Sequence, residues 1–154
     1  MNSTRWATLV ATWGGLGYWP VGPGTAGSVA AVLLGWLWVW SVSAPAWTLG
    51  VLGAVLIPIG AWAARGAEKT FGEEDPSAVI VDEVSGQWIA LTFVRPDRWQ
   101  DWLLGLLLFR LFDIWKPGPI RPLEKLSRGY GVMADDVAAG LCAMMIVGFY
   151  RWLL

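Results

Sequence analysis

Carboxylates, cations and glycines gather in four short segments of this chain. Gly22-Pro23-Gly24-Thr25-Ala26-Gly27-Ser28 offers backbone N–H groups that no bulky side chain screens. Where such a run enters a helix, the positive dipole end adds to them, a combination suited to phosphate oxygens at Gly24, Thr25, Gly27 and Ser28. A plain Gly/Pro turn with Ser28 as N-cap is equally compatible with these residues, and no Gly-Lys-Ser/Thr follows to make a Walker loop. Two acidic doublets, Asp82-Glu83 and Asp135-Asp136, each stand just before an apolar run. One acid suffices to complement a helix dipole, at about 0.3–1 kcal/mol. Two doublets together with Asp113 point instead to oxygen ligands for a hard cation, Mg²⁺ rather than zinc, with capping at a membrane edge as the plainer alternative. In the remaining segment Arg110, Asp113 and Lys116 recur every three residues, which places them on one flank if a helix runs through them. Pro117 would stop that helix, and Arg121 follows as a further anion partner. A salt-bridged stripe with snorkelling cations would use the same charges.

Other charges read as ordinary surface. Glu68, Lys69, Glu73, Glu74 and Asp75 suggest a solvated loop, and Glu124, Lys125 and Arg128 an exposed, mutually paired face. Cys142, mid-way along an apolar run, reads as a buried structural thiol. The chain has no histidine, which removes Ser–His–Asp triads, Cys–His pairs, histidine phosphatases and His-ligated zinc. It also lacks the Asp-Gly-x-x-Ala-Arg run of CDP-alcohol phosphotransferases and the Asp-x-Asp-x-Thr/Val pattern of aspartate-nucleophile phosphatases, since Ile114-Trp115 follow Asp113.

The elements that must carry these residues are membrane helices. Of 154 residues 56% are hydrophobic and 15% charged, against about 25% charged in soluble domains. The net charge of −1 disfavours a nucleic-acid partner, and a single cysteine implies no oxidising compartment. The 13 tryptophans suit a membrane–water interface. Between Arg5 and Arg65 no residue is charged. Pro45 and its small neighbours divide that run into two spans, Val29–Ala44 and Trp47–Ala64, the second with Pro58 inside it. Val84–Val94 and Trp102–Phe109, joined by Arg95-Pro96-Asp97-Arg98, predict a central helical hairpin, either fully crossing or re-entrant. Val137–Leu154 predicts the last span, and the N-terminal residues predict a loop with no signal-peptide core. The expected fold is all-α: one multihelical integral membrane domain over residues 1–154, with two long N-terminal helices, the hairpin and a C-terminal helix.

Counting crossings puts all four polar segments on one membrane face. That face also collects Arg5, Arg65, Lys69, Lys116, Arg121, Lys125 and Arg128, against Arg95, Arg98 and Arg151 on the other, so the positive-inside rule makes it cytoplasmic. Acids, cations and a glycine run at that depth suit cation-assisted chemistry on a lipid-borne phosphate; composition alone would also fit a non-enzymatic lipid-binding or scaffold protein.

Pro23–Ser28, Asp82-Glu83, Phe109-Arg110-Leu111-Phe112-Asp113-Ile114-Trp115-Lys116-Pro117-Gly118-Pro119-Ile120 and Gly131–Gly140 resemble, in order, the motifs of the phosphatidylglycerophosphatase A family. The resemblance covers nearly the whole chain. It implies a Mg²⁺-dependent phosphatase of the bacterial inner membrane, active site facing the cytoplasm, converting phosphatidylglycerophosphate to phosphatidylglycerol and phosphate. On that resemblance Asp82, Glu83, Asp135 and Asp136 would hold the metal, while Arg110, Asp113 and Lys116 form the catalytic core. The glycine run, with Arg110, Lys116 and Arg121, would take the phosphate. Asp113 would be a ligand, a base or a nucleophile, with metal-activated water preferred over a covalent route.

Overall fold

A computed structural model describes residues 3–118, 120–126 and 129–153. Pro119 and Arg128, and the side chains of Glu124 and Lys125, lie outside it, so the expected Glu124–Arg128 face does too. The described residues form six α-helices and no strand: α1 (Ser3–Ala11), α2 (Pro23–Ser41), α3 (Trp47–Phe71), α4 (Val81–Ala90), α5 (Trp99–Trp115) and α6 (Tyr130–Leu153). Short 3₁₀ turns at Leu16–Tyr18 and Arg121–Lys125 complete the described fold. Helices α2, α3 and α6 are long and apolar enough to cross a membrane, as the all-α membrane reading requires.

Several boundaries move, each for a local reason. The expected N-terminal loop contains α1, whose stability comes from packing rather than length. Ala7 sits against Gly66, and the Thr8 and Thr70 hydroxyls are 2.9 Å apart. Helix α2 starts at Pro23, not Val29. Gly22 takes the left-handed conformation (φ 61°) and Pro23 occupies the first helical position, where its missing N–H costs nothing. Helix α3 runs unbroken through Pro58 and past Ala64 to Phe71, and Gly72 (φ 75°) ends it. Helix α6 starts at Tyr130, so Asp135 and Asp136 lie inside it rather than before it.

Helix α4, only ten residues long, is the hub and packs on α2, α3, α5 and α6. Glycines and alanines make this possible, because close backbone approach is what drives helix association in lipid. A Cβ on Gly140 of α6 would lie 2.3 Å from the Gly86 carbonyl of α4, so these two helices meet backbone to backbone. The alanines of α3 (Ala61, Ala63, Ala64 and Ala67) form one core cluster with Ala11, Val79, Val81 and Met133. The Trp88 indole donates to the Ala31 carbonyl of α2 at 2.9 Å, and the Ser85 hydroxyl to the Gly53 carbonyl of α3 at 2.9 Å.

The α4–α5 hairpin reaches the far end of α6. Its tip residue Phe93 lies against Gly148 and accepts from Arg151, and the Arg95 guanidinium covers the Tyr150 ring. The buried Asp101 carboxylate closes the turn, accepting from the Arg95 backbone N–H at 3.0 Å and from its guanidinium at 2.7 Å. Cys142 is half-buried beside the Phe109–Ala139–Ala143 cluster, consistent with a structural thiol.

Candidate active site

All four segments reach one cavity of about 430 Å³ at the end of the bundle where α2, α4 and α6 begin and α5 ends. Helix α2 contributes Gly22–Thr25. Its Ala26 N–H already bonds to the Gly22 carbonyl at 3.0 Å, which leaves Gly24 and Thr25 with the N-terminal donors that have no carbonyl a turn earlier. Gly24 is required by its neighbours: a Cβ there would sit 2.1 Å from Glu83 Oε1 and 3.4 Å from Arg110 Nη1.

The rest of the glycine run departs from the phosphate-loop expectation. Gly27 is buried against Ile80, and the fully buried Ser28 hydroxyl donates to the Gly24 carbonyl at 3.0 Å, inside the helix. Ser28 is therefore neither an N-cap nor a cavity group, because the helix begins five residues before it. Arg121 is exposed on the 3₁₀ turn and does not line the cavity.

Helix α4 supplies Asp82 and Glu83 in its first turn, and α6 supplies Asp136 across the glycine contact. One carboxylate oxygen from each of these three residues lies within 4.8 Å of the others. Asp82 is 7% exposed and Asp136 3%. Burial, together with the neighbouring Glu83 carboxylate, pushes the Asp82 carboxyl well above the ordinary carboxylate range. Glu83 Oε2 is buried without a hydrogen-bond partner among the described residues. Hard, crowded oxygen donors with an unsatisfied buried lone pair fit a small divalent cation, whose charge offsets both the repulsion and the desolvation.

Asp135 has a different neighbour from its doublet partner. Its Oδ2 accepts from Lys116 Nζ at 2.6 Å, while its buried Oδ1 has no partner among the described residues. Lys116 reaches α6 because it sits one residue past α5 in the left-handed conformation (φ 47°), ahead of Pro117, where the helix was expected to stop. Arg110 pairs with Asp113 one turn along α5, as their three-residue spacing anticipates, and keeps a buried Nε with no partner among the described residues. Asp75, Pro76 and Ser77 also line the cavity; the sequence marked Asp75 only as part of a solvated loop and gave Pro76 and Ser77 no role. Gly72 stops α3 there and Asp75 turns the chain back (φ 48°).

The cavity thus pairs a carboxylate cluster with two cations at the end of a membrane bundle, the inventory of a lipid-phosphate hydrolase. The family model of phosphatidylglycerophosphatase A matches residues 9–151, and the chain belongs to that family. It is a phosphatase. Phosphatidylglycerophosphatase A of Escherichia coli K12 is 35% identical over 148 residues, covering 94% of this chain and 84% of that protein. The Haemophilus influenzae phosphatidylglycerophosphatase A is 33% identical, covering 95% and 90%. A Bacteroides thetaiotaomicron protein named as a putative phosphatidylinositol-3-phosphatase is 39% identical over 151 residues, 95% of this chain and 94% of that one. No solved structure matches the chain.

Proposed function

We propose that the chain removes the terminal phosphomonoester of phosphatidylglycerophosphate, releasing phosphatidylglycerol and inorganic phosphate, at the cytoplasmic face of a bacterial inner membrane. One observation carries the reading. Three carboxylates within 4.8 Å of one another share a cavity with Arg110 and Lys116, at the end of apolar helices. Asp82, Glu83 and Asp136 would hold Mg²⁺, which when bound supplies charge neutralisation at the phosphate and a more acidic water.

The chain's own groups do the rest. The Gly24 and Thr25 N–H groups orient phosphate oxygens at the positive end of α2. Arg110 and Lys116 spread the charge that builds on the phosphoryl oxygens, and the low-dielectric walls make those contacts worth more than in water. Asp113, held by Arg110 and outside the three-acid group, takes the proton of the attacking water, whereas Asp135, also outside that group, is engaged by Lys116. Asp135 sets the position of the Lys116 ammonium through the 2.6 Å contact.

The 39% identity to a protein named for a phosphoinositide supports a second substrate, also a lipid phosphomonoester. Phosphate release by the purified protein in detergent micelles, from phosphatidylglycerophosphate and from phosphatidylinositol 3-phosphate, separates the two. Phosphatidylglycerophosphate is expected to turn over faster, with activity lost in EDTA and restored by Mg²⁺. Faster release from the phosphoinositide would reassign the substrate, and full turnover in exhaustive chelator would remove the metal from the mechanism.

A further inference from the structure

A second, apolar hollow of about 360 Å³ opens beside the polar cavity, and the two share Gly22 and Thr25 as lining residues. From Thr25 it follows one face of α2 through Ala26, Val29, Ala30 and Leu33, with Leu16 and Trp19 as the opposite wall. Gly22, Ala26 and Ala30 keep it concave, and eight helical residues give it a run of about 12 Å. Trp19, Val29 and Leu33 are all exposed, so the hollow lies open sideways along a helix fit to cross a membrane. A larger apolar hollow lies between α3 and α6, but it shares no lining residue with the polar cavity. Its walls include Met133, Val137 and Leu141, about half a turn around α6 from Val132, Asp135 and Asp136.

We propose that the α2 trough is the subsite for an acyl chain of the lipid whose phosphate enters the polar cavity. This rests on the lipid phosphomonoester reading above and adds where the hydrocarbon goes. A terminal phosphate in the polar cavity leaves the headgroup glycerol and its phosphodiester to cross the shared rim at Gly22, and one acyl chain of the distal glycerol then descends along Ala26, Ala30 and Leu33. The second chain stays in the surrounding bilayer, to which the hollow is open along the exposed Trp19, Val29 and Leu33. Selection for a membrane-anchored phosphomonoester over a soluble one then comes from this contact.

The test uses the full-length protein in detergent with a long-chain and a dihexanoyl form of the same phosphomonoester lipid. Ala30→Trp plugs the trough and should lower the ratio of long-chain to short-chain kcat/KM about tenfold, the value of roughly two methylenes returned to water. The effect should fall on KM. Leu141→Trp, in the other hollow, should leave the ratio as in the wild type. An unchanged ratio in Ala30→Trp, or a fall in Leu141→Trp, overturns the assignment. A readout free of turnover accompanies it: phosphatidic acid carrying a photoactivatable diazirine on one acyl chain. Cross-links within residues 26–33 that excess dihexanoyl phosphatidic acid displaces support the trough. Cross-links confined to residues 137–141, or spread evenly over lipid-facing helices, defeat it. If the wild type hydrolyses neither lipid yet cross-links at 26–33, the phosphatase substrate fails while the chain subsite stands.

Discussion

At the scale of single residues, the site depends on what can and cannot be added to it. Asp136→Asn removes one charge with almost no change of shape. The variant should insert and purify normally yet lose activity roughly 100-fold, as when one preorganised electrostatic contact leaves a buried site. Wild-type turnover would reduce the doublet to a packing feature of α6. Gly24→Ala offers the sharper contrast. Alanine is the better helix former by about 1 kcal/mol, but its Cβ would meet the Glu83 carboxylate at 2.1 Å. Thermal stability should hold or rise while kcat falls about 10–100-fold, the scale of a small misplacement of reacting groups. Equal melting and equal turnover would remove Glu83 from the chemistry. The charged residues that meet in the cavity were largely readable from charge type and spacing. Those that the sequence misplaced depend on backbone conformation. Pro23 starts α2 early enough to draw Gly27 and Ser28 into packing, and the turn after Trp115 leaves Arg121 outside. Asp75 to Ser77 carry no periodic signal and enter the cavity only because Gly72 and Asp75 reverse the chain.

At the scale of elements, α4 decides the geometry. It is too short to span a bilayer alone, at about 15 Å, yet four other helices pack on it. The Gly86–Gly140 contact sets how far Asp82 lies from Asp136. Gly86→Ala would place a Cβ 2.5 Å from the Asp136 carbonyl oxygen and 2.6 Å from the Phe109 ring. Backbone cannot move aside cheaply, so the variant should lose about 1–3 kcal/mol of stability and activity with it. Gly148→Ala, on α6, meets only the Phe93 ring at 3.0 Å and should cost less on both counts. Melting curves and phosphate release from both variants check the order. The long helices were visible as uncharged runs and α5 as a hairpin arm. Helix α1 was not, because nine residues without a charge pattern gain their order from α3.

At the scale of the molecule, aromatic residues mark two levels. Exposed Trp6, Tyr18, Trp19, Trp115 and Tyr130 lie at the end that holds the cavity. Exposed Trp36, Trp38, Trp40, Trp47 and Trp152 lie at the other, as a membrane with two interfaces requires. Cysteine labelling in intact vesicles tests the orientation, after the native Cys142 is replaced by Ala. Thr25→Cys and Glu73→Cys should react from the cytoplasmic side, and Asp97→Cys from the opposite side. Reaction of Thr25→Cys and Glu73→Cys from different sides would break the shared site apart.

The glycine contact also bears on how the enzyme feels its surroundings. Two backbones already touching leave no side chain between the helices whose rotamer could change and let them shift. When the bilayer thickens, thins or stiffens with temperature and lipid supply, tilt is the response open to α4 and α6, and they take it as one rigid body. The spacing of their carboxylates is thereby insulated from the membrane whose composition the reaction itself changes.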